Sequence, residues 1–135
     1  MLATLEQRHA ELLAMMATMR GLIANDRIDR DAVTRTRLGL GKASTARTRF
    51  LMDTVYPALL DTLAVTEAAQ VRQLRVDASD DRARSSAHIG KWNAATIAQD
   101  WQGFRRDAVG ILAMMETRIA LEKRVLYPSL GRSRP

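Results

Sequence analysis

TIAQDWQGFRRDAVGILAMMETRIALEKRVL, residues 96–126, is the stretch that decides the fold. Within it Ile97, Trp101, Phe104, Ala108, Ile111, Met115, Ile119, Glu122 and Leu126 recur at the helical period, so one face of a long helix is apolar. The same pattern opens the chain. Leu5, His9, Leu12, Met16, Met19 and Ile23 alternate by four and three and predict a helix over about 4–24. Asn25-Asp26-Arg27-Ile28-Asp29 reads as a turn, with Asp29 as N-cap of the next helix, from about Arg30 to Tyr56. Val33, Leu40, Ser44, Leu51 and Val55 share its face, and Gly39 and Gly41 predict a kink or a close helix crossing in its middle. A further helix, from about Leu63 to Trp92, carries Val71, Leu74 and Ala78 as its seam, with a break expected at the polar run Asp77–Asp81. Short turns between long helices make neighbours antiparallel. The expected fold is therefore all-α, an up-down-up-down four-helix bundle spanning 1–130 as one domain, with 131–135 as a frayed tail.

Composition agrees. A chain of 135 residues can bury one continuous core, and alanine, leucine, arginine and methionine favour helix while aromatics are few. With no cysteine, disulfides and thiolate metal sites are excluded. The formal charge of +6 comes almost wholly from arginine, which makes acidic partners the natural class. Arginine with alanine is also the habit of a GC-rich bacterial genome. Met1–Arg8 lacks an apolar signal core and no stretch is long enough to span a membrane, so a cytoplasmic location is expected.

One internal echo stands out. Arg47 lies nine residues before Tyr56-Pro57-Ala58-Leu59, and Arg118 nine before Tyr127-Pro128-Ser129-Leu130. Both Tyr-Pro pairs are expected to end a helix, since proline can stop one. These endings, Val55-Tyr56-Pro57-Ala58-Leu59 and Leu126-Tyr127-Pro128-Ser129-Leu130, resemble those of the hemerythrin-like (HHE cation-binding) domains, and the resemblance covers nearly the whole chain.

The resemblance implies a histidine on the first helix and a His-x-x-x-Glu pair before each Tyr-Pro ending. His9 matches the first. On the second helix Arg47 stands in the histidine's place and Leu51 in the glutamate's; on the fourth Arg118 replaces the histidine while Glu122 keeps the carboxylate. A diiron centre needs several imidazoles and bridging carboxylates, and the chain has two histidines. The resemblance therefore implies a degenerate module, non-enzymatic and without a cofactor, acting in regulation or protein interaction. The alternative it leaves is a reduced iron site of His9 and Glu122, with Glu6 from the Glu6-x-x-His9 spacing, in an oxygen- or nitric-oxide-sensing protein. The expectation for His9 is a buried imidazole hydrogen-bonded to Glu122 and balanced by the arginines.

His88 lies ~25 Å along the bundle from the level of His9. Ser86-Ala87-His88-Ile89-Gly90-Lys91 is similar to the phosphoaccepting helix of histidine phosphotransfer domains, also four-helix bundles, so a phosphotransfer module is a third reading. A packing or capping role near Trp92 is the expectation set against it. Gly39-x-Gly41-Lys42-Ala43-Ser44 is not a phosphate loop, which needs Gly-Lys directly before Ser or Thr and a preceding strand. Arg35, Lys42 and Arg49 are seven apart and stack on one helix face, a surface for an acidic protein partner. With Phe50 as the sole aromatic nearby, sequence-specific binding of single-stranded nucleic acid is not expected. Trp92, Trp101 and Phe104 are expected to plug the core at the pole opposite His9.

Overall fold

The computed structural model describes residues 1–132. Among these there is no strand; the chain is helix joined by short turns. α1 spans Leu2–Ile23, α2 Arg30–Phe50, α3 Tyr56–Thr62, α4 Val65–Lys91, α5 Ala94–Gln99 and α6 Trp101–Arg132, with a π-helical turn, Leu51–Val55, joining α2 to α3. No helix is long and apolar enough to cross a membrane.

Local chemistry sets most boundaries. The Asp29 side chain accepts from the Ala32 amide at 3.1 Å and starts α2, as expected of an N-cap. Asn93 and Thr96 satisfy each other's amides in a capping box that starts α5. Asp100 then interrupts the long helix foreseen over 96–126. Its non-helical backbone (φ −138°, ψ 68°) ends α5, and its carboxylate accepts from the Gly103 amide at 2.9 Å to open α6. A Cβ at position 103 would run into that carboxylate, so glycine is what lets the cap fold over. The helix therefore restarts rather than running through.

Three other expectations need correction. Neither Tyr-Pro pair ends a helix. After Tyr56-Pro57 the chain continues as α3, because the preceding turn has widened: the Tyr56 amide bonds to the Leu51 carbonyl, five residues back. Widening relieves the clash between a proline ring and the carbonyl a turn earlier. Pro128 sits inside α6, which runs on to Arg132; Gly131 and Arg132 thus belong to the helix rather than to a tail, and 133–135 lie outside the described residues. Finally, α4 passes through Asp77–Asp81 unbroken, since those polar residues fall largely on its outer side.

The helices form a bundle. α1 packs on α2 and α6, and α4 on α6. Residue pairs give the directions. His9 meets Glu122 and Arg20 meets Glu116, so α1 and α6 are antiparallel; Arg118 meets Asp81 and Lys91 meets Asp107, so α4 and α6 are too. Gly39 is where α2 crosses close to α1, since a Cβ there would overlap the Met15 sulfur, whereas Gly41 has open space.

The buried side chains fall into two groups. One, at the end holding the Tyr-Pro pairs, gathers Leu5, Leu51, Val55, Tyr56, Leu59, Val71, Leu74, Leu126 and Leu130. The other, at the far end, includes Leu12, Met16, Met19, Val33, Trp92, Trp101, Phe104 and Ile119. Between Leu5 and Leu12 on α1 lies His9; between Ile119 and Leu126 on α6 lies Glu122; both are buried. A polar layer divides the core in two.

Candidate functional site

Glu122 is the centre of that layer and has no exposed surface. Its Oε1 lies 2.8 Å from Nε2 of His9, and its Oε2 accepts from Nη1 of Arg47 at 2.7 Å. The other ring nitrogen, Nδ1 of His9, lies 2.6 Å from the Tyr127 hydroxyl. A carboxylate can only accept, so Nε2–H donates to Glu122 while Nδ1 pairs with the Tyr127 hydroxyl. Burial, with Glu6 and Glu122 adding to it, pushes the Tyr127 hydroxyl up to about 12, which keeps it a donor. One carboxylate and one guanidinium then cancel each other inside the bundle.

Arg118 is buried as well but does not join Glu122. It forks onto Oδ2 of Asp81 through Nε at 2.8 Å and Nη2 at 2.7 Å, and Nη1 donates to the Leu74 carbonyl at 3.2 Å. The sequence reading paired both arginines with Glu122; α4 supplies a carboxylate of its own, and the nearer anion wins. Leu51 is buried in the apolar group next to the layer, and Glu6 is exposed, outside the His9–Glu122 network. The Tyr56 hydroxyl is buried without a protein partner, pushed up to about 12 by burial and then by the Glu122 charge.

A diiron centre is what the family resemblance would put here. The residues present do not fit one. Both oxygens of Glu122 and both nitrogens of His9 are engaged by protein groups, a cation already stands at Oε2, and no group of three or more His, Asp or Glu side chains able to hold a metal converges among the described residues. Comparison with protein-family models, curated proteins and solved structures finds no match.

His88 lies at the other end of the bundle. Its ring packs on Phe104 with centroids 5.7 Å apart, and burial followed by the Arg37 charge lowers its pKa. Trp92 meets the same ring edge-on and Trp101 stacks on it, each at 5.7 Å, which places both tryptophans together at that pole. Their indole N–H groups donate to Asp107 and to the Asn25 carbonyl. His88 thus belongs to an aromatic plug, half-buried. Arg35, Lys42 and Arg49 are all exposed on α2.

The sequence reading missed Tyr127 and Asp81 as partners. In the sequence Tyr127 belongs to a Tyr-Pro helix ending, and nothing in its spacing marks it as a partner of His9. For Asp81 a signal exists: the alternation Val71, Leu74, Ala78 continues by three and four through Asp81, Ser85 and His88. The inner face of α4 simply turns polar halfway along.

Proposed function

We propose that the chain is a degenerate hemerythrin-like module: an up-down-up-down four-helix bundle, independent of metal and non-catalytic, that works in regulation or protein interaction. In this architecture the four members are α1, α2 with its continuation α3, α4, and α6 with α5 as its cap. The antiparallel pairs α1–α6 and α4–α6 support that arrangement.

The observation that carries the reading is the Arg47–Glu122 bond at 2.7 Å. It sets a fixed cation on the one carboxylate that a hemerythrin-like site on α6 would present to iron. A guanidinium cannot be deprotonated to make way for a metal, and its charge opposes one. What is left for function is surface, and the exposed basic face of Arg35, Lys42 and Arg49 suits an acidic protein.

The test is metal analysis of chain expressed with iron supplied. Well under one iron per chain and no oxo-bridged absorption are expected; stoichiometric iron that a His9→Ala variant loses would overturn the reading. For the surface, Arg35→Glu, Lys42→Glu and Arg49→Glu together should abolish salt-sensitive capture of an acidic partner without unfolding the bundle.

A further inference from the structure

α2 and α4 do not pack against each other as α1 packs on α2 or α4 on α6. The gap between them is a cleft of about 510 Å³, with four arginines, Arg47, Arg49, Arg82 and Arg118, in its lining. Arg49 and Arg82 are exposed at its rim and make no ion pair among the described residues; Arg47 and Arg118 reach it from the polar layer. The Nε–H of Arg47 is buried without a protein acceptor. The acids lining the cleft are Asp81, already held by Arg118, and the exposed Asp53.

The cleft does not stop at these charges. Gly41, Ser44, Ser85, Ile89 and Met115 line it and also line a narrower cavity of about 100 Å³, so the two adjoin. Only small side chains, at Gly41, Ser44 and Ser85, stand where the two meet. Beyond them the narrow part is walled by Met19, Leu40, Phe104, Ile111 and Leu112. Its polar members are His88, which lies on Phe104, and Arg37, which donates to the Trp92 carbonyl. The hollow therefore changes character along its length, from guanidinium to apolar.

The geometry points to a binding site for a small amphiphilic anion, a carboxylate or phosphate head on an unbranched apolar tail. The head lies beside Arg49 and Arg82, whose planar forks match either anion. The tail enters the slot against Met115 and Phe104, where a flexible thioether adapts to its shape. Arg47 lines this cleft as well as holding Glu122, but the exposed head contacts are Arg49 and Arg82, so anion binding and iron content are read separately.

The experiment titrates the full chain with decanoate, decyl phosphate, 1-decanol and inorganic phosphate, by calorimetry and by tryptophan fluorescence. Trp92 and Trp101 both touch Phe104, so their emission reports a filled slot. At least one decyl anion should bind saturably and about ten-fold or more tighter than 1-decanol, and the tighter of the two anions identifies the head. Replacing the two exposed arginines, Arg49→Gln with Arg82→Gln, should erase that preference without changing the melting temperature. Ser85→Leu should close the passage and weaken the tail-bearing ligands. Three results overturn the site: 1-decanol binding as tightly as both anions, inorganic phosphate binding as tightly as decyl phosphate, or no saturable binding of either anion below its micelle-forming concentration.

Discussion

Arg47 donates from Nη1 to Oε2 of Glu122 at 2.7 Å, tying α2 to α6 through a carboxylate that has no exposed surface. His9 holds the other oxygen, so the carboxylate is satisfied on both sides without solvent. Desolvating both members of such a pair is costly, and what the pair adds to stability depends on both being present.

Removing one partner should therefore hurt far more than removing both. Arg47→Met leaves a buried carboxylate short of its cation and should cost ~3–5 kcal/mol in urea unfolding. Arg47→Met with Glu122→Gln should recover a large part of that loss. Equal losses in the single and double variants would show that the pair is not what the layer depends on.

Arg118, buried, and the partly exposed Asp81 make the second ion pair, linking α6 to α4. Arg118→Met also leaves the Leu74 carbonyl without its side-chain donor, and should cost ~1–3 kcal/mol. The exposed Arg106→Ala should stay within about 0.5 kcal/mol of wild type. A double-mutant cycle between 118 and 81 should show coupling of about 0.5–3 kcal/mol. A cycle that closes at zero would contradict the pairing.

Tyr56 and Tyr127 are the chain's two tyrosines, and both hydroxyls are pushed from 10.0 to about 12. The folded state disfavours their ionisation. Their contribution to stability is thus complete below pH 10 and is lost as pH rises towards about 12. Absorbance near 295 nm (the tyrosinate band) should stay flat through pH 10 in the folded chain and rise only near 12 or on unfolding. Early titration of either tyrosine would place its hydroxyl in solvent.

Gly41 and Gly39 sit two residues apart on α2 with opposite surroundings. Gly41→Ala puts a methyl into open space on a helix and should stabilise by up to ~1 kcal/mol. Gly39→Ala gains the same propensity but drives a methyl into the Met15 thioether, so its gain should be smaller or absent. Melting temperatures of the two variants decide this.

Period alone was enough to read α1 in full: each of Leu5, His9, Leu12, Met16, Met19 and Ile23 is buried. The His9–Glu122 contact was legible only through the family resemblance, which set both residues at one site; the period added that both lie on inner seams. Period failed where polarity was mistaken for exposure. Asp81 continues the inner face of α4, yet the acids around it at Asp77 and Asp80 made the run look like a loop. Asp100 was hidden by the reverse effect, since apolar residues on both sides kept the helical period through an N-cap that ends one helix and starts another. A side chain's partner across the bundle, as with Arg118 choosing Asp81 over Glu122, depends on distances that no spacing along one chain contains.

The widened turn at Leu51–Val55 also resets angular phase. In an unbroken α-helix at about 100° per residue, Tyr56 would face ~180° away from Arg47, and Leu59 would lie ~120° round from it. One extra residue in the turn takes out roughly 100°, bringing Tyr56 and Leu59 back onto the inner side, where both are buried. Deleting a single residue from that turn would restore a regular α-helix and leave Tyr56 and Leu59 facing inward, whereas closing the turn to α-helical bonding with every residue kept would rotate all of α3 by roughly 100° and carry that face away from the core.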